Sequence, residues 1–193
     1  LFLVISLLPI GRRDFNVAHY NLALHYFKND QPAAAAAELE FVRDIKQPQW
    51  IYLRGLAYEK ASIPDRALEA FYEAANLDPQ SPEAAFHLGL SYRANGDPRE
   101  ALRWFREARK REPNHLEAAL EIGRIYMERG EWTRAEEVLS LAAEQSWRGH
   151  LELARLYKKI KIWPRVIEEA DKVLIEIPGE AEALKLRNEA KKR

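Results

Sequence analysis

The 193-residue chain has no cysteine, so disulfides, CxxC redox sites and thiolate-bound zinc are excluded, while the compartment is left open. It has no net charge either: 30 Lys and Arg are matched by 30 Asp and Glu. Bulk nucleic-acid binding needs a strong positive field, so no nucleic-acid partner is expected. No apolar run reaches the roughly 20 residues that a membrane-spanning helix takes. There is no GxxxxGK or GxGxxG phosphate loop, no HExxH helix and no GxSxG elbow. His19, His25, His87, His115 and His150 offer no metal-ligand spacing with a carboxylate. The first three of these fit helix surfaces or seams. No catalytic, cofactor-binding or metal residue is assigned, and the chain is expected not to be an enzyme.

What the chain does contain is periodic. Hydrophobic residues make up 47% and charged residues 31%, the balance of a folded protein with a solvated surface. Gly55, Gly89 and Gly123 are spaced by 34 residues, and so are Tyr58, Tyr92 and Tyr126. The same step links Ala67, Ala101 and Ala135, then Phe71, Phe105 and Leu139, then Ala74, Ala108 and Ala142. Internal repeats of this length signal a solenoid of small supersecondary units. Ala85, Leu88, Gly89 and Tyr92 fall at three- and four-residue steps, one face of a helix. Glycine on that face permits a close helix approach, at a propensity cost of about 1 kcal/mol. Gly96-Asp97-Pro98 reads as a helix end, a cap and a first-turn proline. Ala101, Phe105 and Ala108 then line the inner face of the second helix, and Asn114 with Glu117 caps the next.

These residues resemble the tetratricopeptide repeat family, whose 34-residue helix-turn-helix unit carries a Leu-Gly pair, then tyrosine, alanine, an aromatic and a proline. The fullest copy is 82–115, with Leu88-Gly89, Tyr92, Ala101, Phe105 and Pro113. Copies over 48–81 and 116–146 follow it closely, and degenerate ones occupy 16–47 and 147–180. Residues 181–193 read as a closing helix over the last apolar face. The expectation is an all-α solenoid over 14–193, a right-handed superhelix of ten repeat helices plus one. The helices are predicted over 15–28, 32–44, 48–60, 64–77, 82–95, 98–112, 115–129, 131–145, 148–160, 164–177 and 180–192.

The resemblance implies protein partners held in a concave groove lined by the first helix of each repeat. The candidate groove residues are Tyr20, Leu24, Phe27, Tyr52, Leu56, Phe86, Leu90, Arg93, Arg124, Arg155 and Lys158. Their rows also run through Leu120, Leu151, Glu59 and Met127, and ordinary helix packing is the competing account of the apolar ones. An apolar partner segment with an acidic far end, opposite Arg124, Arg155 and Lys158, is expected. Chaperone-tail receptors of the family use a lysine and asparagine clamp. Tyr52, Leu56, Phe86 and Leu90 stand in those places, so that ligand is disfavoured. The basic run Arg99, Arg103, Arg106, Arg109, Lys110 and Arg111 reads as a solvated face among Glu100, Glu107 and Glu112.

Leu1–Ile10 is apolar and uncharged, and Arg12 and Arg13 follow it. Residues 1–13 are expected to be the end of a longer transmembrane or hydrophobic anchor, with the repeats on the cytoplasmic side. A hydrophobic arm packed on the first repeat is the alternative. The functional expectation is a membrane-tethered, non-catalytic scaffold, an accessory or assembly subunit of a larger complex. The rival is the docking region of a larger enzyme or multispan protein.

Overall fold

The computed structural model describes residues 12–42 and 46–193, with side chains from Asp14 on. The anchor expected at Leu1–Ile10 lies outside the described residues. Among the described residues all regular structure is helical: α1 (Arg12–Lys28), α2 (Pro32–Phe41), α3 (Pro48–Lys60), α4 (Pro64–Leu77), α5 (Pro82–Ala94), α6 (Pro98–Arg111), α7 (Leu116–Glu128), α8 (Trp132–Ala143), α9 (Trp147–Lys159), α10 (Trp163–Glu176) and α11 (Ala181–Ala190). None of these helices is long and apolar enough to cross a membrane.

Two compact units divide the chain, one up to Asp97 and one from Pro98. In the first, α1 packs on α2, α3 on α4, and α4 on α5, with α2 against α3. In the second, each helix from α6 to α11 packs on the next, and α9 also touches α7 and α11. Neighbour-on-neighbour stacking of this kind is what repeat units produce when none can bury its own apolar face alone.

The five turns inside the repeats are built alike. Each ends its first helix with a residue in the left-handed region: Asp30 (φ 55°), Ser62 (59°), Gly96 (77°), Gly130 (73°) and Lys161 (62°). In each, the next residue's N–H reaches back to the carbonyl of a tyrosine at 2.9 Å: Gln31 to Tyr26, Ile63 to Tyr58, Asp97 to Tyr92, Glu131 to Tyr126 and Ile162 to Tyr157. This is the Schellman cap, which satisfies a carbonyl that the helix end would leave open. Second helices then begin with a proline in the first turn at Pro32, Pro64 and Pro164, where no N–H is needed. The cap of α7 differs from the expected one. His115, not Asn114, precedes the helix, and its Nδ1 accepts from the Ala118 N–H at 3.3 Å.

Two of the repeat glycines, Gly55 and Gly123, allow the close helix approach expected of them. A Cβ on Gly55 would sit 2.6 Å from the Phe71 ring, and one on Gly123 2.6 Å from Leu139 Cγ. Phe71, Leu139, Ala101, Phe105 and Ala108 are fully buried. Small and large residues thus alternate across the helix pair, which is what lets the two backbones close up.

Candidate functional site

In the first unit the eight candidate residues come from three helices. Tyr20, Leu24 and Phe27 lie on α1, Tyr52 and Leu56 on α3, and Phe86, Leu90 and Arg93 on α5. Their three- and four-residue spacing puts each set on one helix face. Every one of the eight is half-buried, neither core nor fully solvated. Rings from successive helices touch. Tyr20 stacks on Trp50, with centroids 4.5 Å apart and 12° between planes. His87 stacks on Phe71 at 5.1 Å and meets Tyr52 edge-on at 5.5 Å. Phe86 meets the same imidazole edge-on at 5.5 Å. The His87 Nδ1–H donates to Glu59 at 3.2 Å, which fixes the ring among its aromatic neighbours. At the far end of the row Lys60 lies over the Phe27 ring at 4.8 Å.

Trp50 and His87 join the row through these ring contacts, although the spacing does not single them out. Trp50 carries no expectation from the sequence, and His87 is expected only on a surface or seam. The available signal was their position: each lies within two residues of a row member.

The second unit treats its row differently. Leu120, Leu151 and Met127 are buried, so there the packing account holds. Arg124, Arg155 and Lys158 are half-buried and already occupied. Arg124 donates through Nε to Glu152 at 2.7 Å and also pairs with Glu121. Arg155 donates to the same Glu152 at 2.5 Å and, through Nε, to Glu182 at 2.7 Å. Lys158 donates to Glu189 at 2.6 Å. Glu152 is only 2% exposed, so this is a ladder rather than a set of surface contacts. The Glu182 hydrogen bond raises the Arg155 guanidinium above its ordinary range, against the effect of burial. The same bond holds the Glu182 carboxyl below the usual carboxylate value. Glu189 is lowered in turn by Lys158. Four carboxylates thus surround three cations, which removes the physical basis for an acidic partner segment here. The pattern was legible as Glu-x-x-Arg at 121–124 and 152–155, with Glu182 30 residues after Glu152.

The basic run on α6 is also paired with its surroundings. Arg103 pairs with Glu100, Lys110 and Arg111 with Glu107, and Arg106 donates to the Tyr126 hydroxyl. Among the described residues no group of three or more His, Asp or Glu side chains is placed to hold a metal ion.

The sequence matches the tetratricopeptide repeat profile over residues 20–82 and 86–150. No curated protein matches the chain. Among solved structures, PilF from Pseudomonas aeruginosa is 21% identical over 90% of this chain and 82% of its own, with a TM-score of 0.74. YrrB, described as a TPR protein with an unusual peptide-binding site, is 18% identical over 92% and 100%, with a TM-score of 0.73. A tetratricopeptide repeat protein from Parabacteroides merdae is 15% identical over 91% and 72%, with a TM-score of 0.80. At these identities the likeness is one of fold.

Proposed function

Because the chain belongs to the tetratricopeptide repeat family, we propose that it is a scaffold that holds an apolar segment of another protein against the first-helix faces of its N-terminal unit. The family's general use as a protein-interaction platform supports the coarse reading. The finer reading rests on one observation: aromatic and aliphatic side chains from α1, α3 and α5 form a row that stays half-exposed. Isolated apolar residues on a surface are ordinary, but a contiguous row marks a contact site. The description of YrrB by its peptide-binding site is in keeping with that use of the fold.

Aromatic anchors in a concave contact dominate binding energy. Phe86 is the chosen probe because it is half-exposed and meets the His87 ring. Partners are to be recovered by copurification in mild detergent, and their affinity measured for the wild type and Phe86→Ala. The substitution should weaken binding by about 1–3 kcal/mol with little salt dependence. An unchanged affinity would mean that the row is packing surface.

Tethering to a membrane through Leu1–Ile10, with the chain acting as an accessory or assembly subunit, is the further part of the proposal. It rests on the apolar, uncharged sequence of that segment. A version starting at Arg12 should stay folded and need no detergent. Partition of the full chain into the aqueous phase would count against the tether.

A further inference from the structure

A cavity of about 400 Å³ opens in the first unit between the start of α3, the end of α4 and the first turn of α5. Its walls include Gln49 and Tyr52 from α3, Asp78 at the end of α4, and Gln80, Ser81 and Glu83 leading into α5. Tyr52 is also a member of the apolar row, so cavity and row share a wall. Both charged residues in the lining are acids, and the lining holds no cation. Asp78 accepts only the Gln80 N–H, at 3.2 Å, and Glu83 accepts the Ser81 hydroxyl at 3.1 Å. Neither forms an ion pair among the described residues. Asp65 and Glu69 of the same unit likewise form no ion pair, but neither lines the cavity, while Glu40, Glu59 and Glu73 each meet a cation or a histidine. The unit as a whole leans the same way, with nine Lys and Arg against twelve Asp and Glu up to Asp97.

We propose that this cavity receives an arginine side chain of the partner segment whose apolar residues lie along the neighbouring row. The inference rests on the scaffold reading and names the partner's chemistry: an apolar stretch carrying a basic residue. A guanidinium is planar and has five N–H donors in a fixed fork, which suits two carboxylates beside side-chain amide and hydroxyl acceptors. It also stacks on a tyrosine face, which a lysine ammonium does less well. The Tyr52 phenol reports the local field. Burial first, then Glu83 and Glu59, push its ionisation up to about 12, so it stays neutral beside a cation.

One effect opposes this assignment. α3 and α5 both point their N-termini at the cavity, and a helix start carries about half a positive charge. Several features blunt it. Pro48 and Pro82 have no N–H, and the Ala84 N–H is already taken by the Ser81 hydroxyl at 3.1 Å. The negative end of α4 faces the same space through Asp78. Two full carboxylate charges outweigh what is left, and the site selects a cation.

The test uses the full chain, labelled with nitrogen-15, titrated with Nα-acetyl-arginine amide and separately with its citrulline counterpart. Citrulline has the same shape and no charge. The arginine compound should give saturable shifts at the amides of Gln80, Ser81, Glu83 and Ala84, and the citrulline compound should not. Asp78→Asn with Glu83→Gln should weaken arginine binding about tenfold, the loss expected for charge-assisted hydrogen bonds of about 1.4 kcal/mol. Glu83→Gln alone, at an exposed position, guards against a folding artefact. Phe86→Ala should leave arginine binding unchanged, because the probe carries no apolar group for the row. A partner that fails to bind the row therefore does not decide the cavity, nor the reverse. Equal shifts with both compounds, no saturable shift with arginine, or saturable binding of acetate at these amides would overturn the assignment.

Discussion

Gly149→Ala should destabilise the second unit although it adds a better helix former. Gly149 lies in the first turn of α9, is buried, and donates its N–H to the Ser146 carbonyl at 2.9 Å. A Cβ there would meet the backbone nitrogen of Ala143, the carbonyl carbon of Ala142 and, at 2.5 Å, Ala143 Cα. Carbon atoms in contact prefer about 3.5–4.0 Å, so α8 and α9 would have to part by about 1 Å. Nothing can rotate out of the way, because the obstructing atoms are main chain. Replacing glycine by alanine in a helix yields about 1 kcal/mol. Overpacking costs about 1–3 kcal/mol, and rigid backbone places it at the upper end. The net loss is about 2 kcal/mol, or roughly 4–8 °C in the melting temperature of a chain this size. Far-UV circular dichroism melts and urea titrations measure it, and hydrogen exchange should show faster opening in α8 and α9. Gly179→Ala is the control, because nothing lies within 4 Å of its would-be Cβ, and it should change stability by less than about 0.5 kcal/mol. A Gly149→Ala protein as stable as the wild type would refute the assigned packing.

The ion ladder, its pH dependence and the terminal-repeat polar pairs each give a further test. Glu152→Gln removes a buried carboxylate shared by Arg124 and Arg155 and should cost about 3 kcal/mol in urea unfolding, as for one side of a buried ion pair; a loss below about 0.5 kcal/mol would place the ladder among solvated contacts. Arg155 and Lys158 hold Glu182 and Glu189 below their ordinary value of 4.5, so the ladder's contribution is present above that pH and lost as pH falls through the folded values. Protection of the α11 amides, taken against their intrinsic exchange rate at each pH, should fall over this acid range in the wild type and lose that pH dependence in a Glu182→Gln, Glu189→Gln variant; identical protection profiles would remove the linkage. His150→Ile and Glu169→Ala should each destabilise, while the double variant should recover most of the loss, with a coupling of about 1–2 kcal/mol; additive losses would show that the two side chains act independently.

Most of the fold could be read because its boundaries are chemical. Prolines and turn residues fix the helix starts at 32, 48, 64, 82 and 98, all found where the spacing predicts them. The larger errors occur where no such signal exists. α1 begins at Arg12 rather than 15, and α2 stops at Phe41 rather than 44, with Val42 extended and buried. The left-handed residues were legible only at Gly96 and Gly130. Asp30, Ser62 and Lys161 take the same conformation because the tertiary stack demands the turn. In the site, spacing gave the helix face but not its exposure. Leu90 is half-buried and Leu120 fully buried although both lie on first-helix rows, because exposure depends on which neighbouring side chains cover each position.

The two degenerate repeats depart from the family pattern in the same way. His19 donates to Glu38 at 2.6 Å, and His150 donates to Glu169 at 2.6 Å, each pair separated by 19 positions. In the repeat register these places are held by Ile51 and Ala70, by Ala85 and Trp104, and by Ala119 and Val138. A lone histidine or carboxylate there would be a buried polar group without a partner, which costs about 1–3 kcal/mol. Changed together, they satisfy each other, and Glu169, only 4% exposed, also gains Lys172 at 2.8 Å. His19 is held between Phe15 and Phe41, with ring centroids 4.2 and 5.1 Å away, both rings being exposed. A polar pair suits such a face better than the isoleucine of the second repeat would, because it keeps a hydrogen-bonded contact where apolar cover is thin. The departure from the family pattern at these positions of 16–47 and 147–180 is therefore a substitution of one helix-pairing chemistry for another.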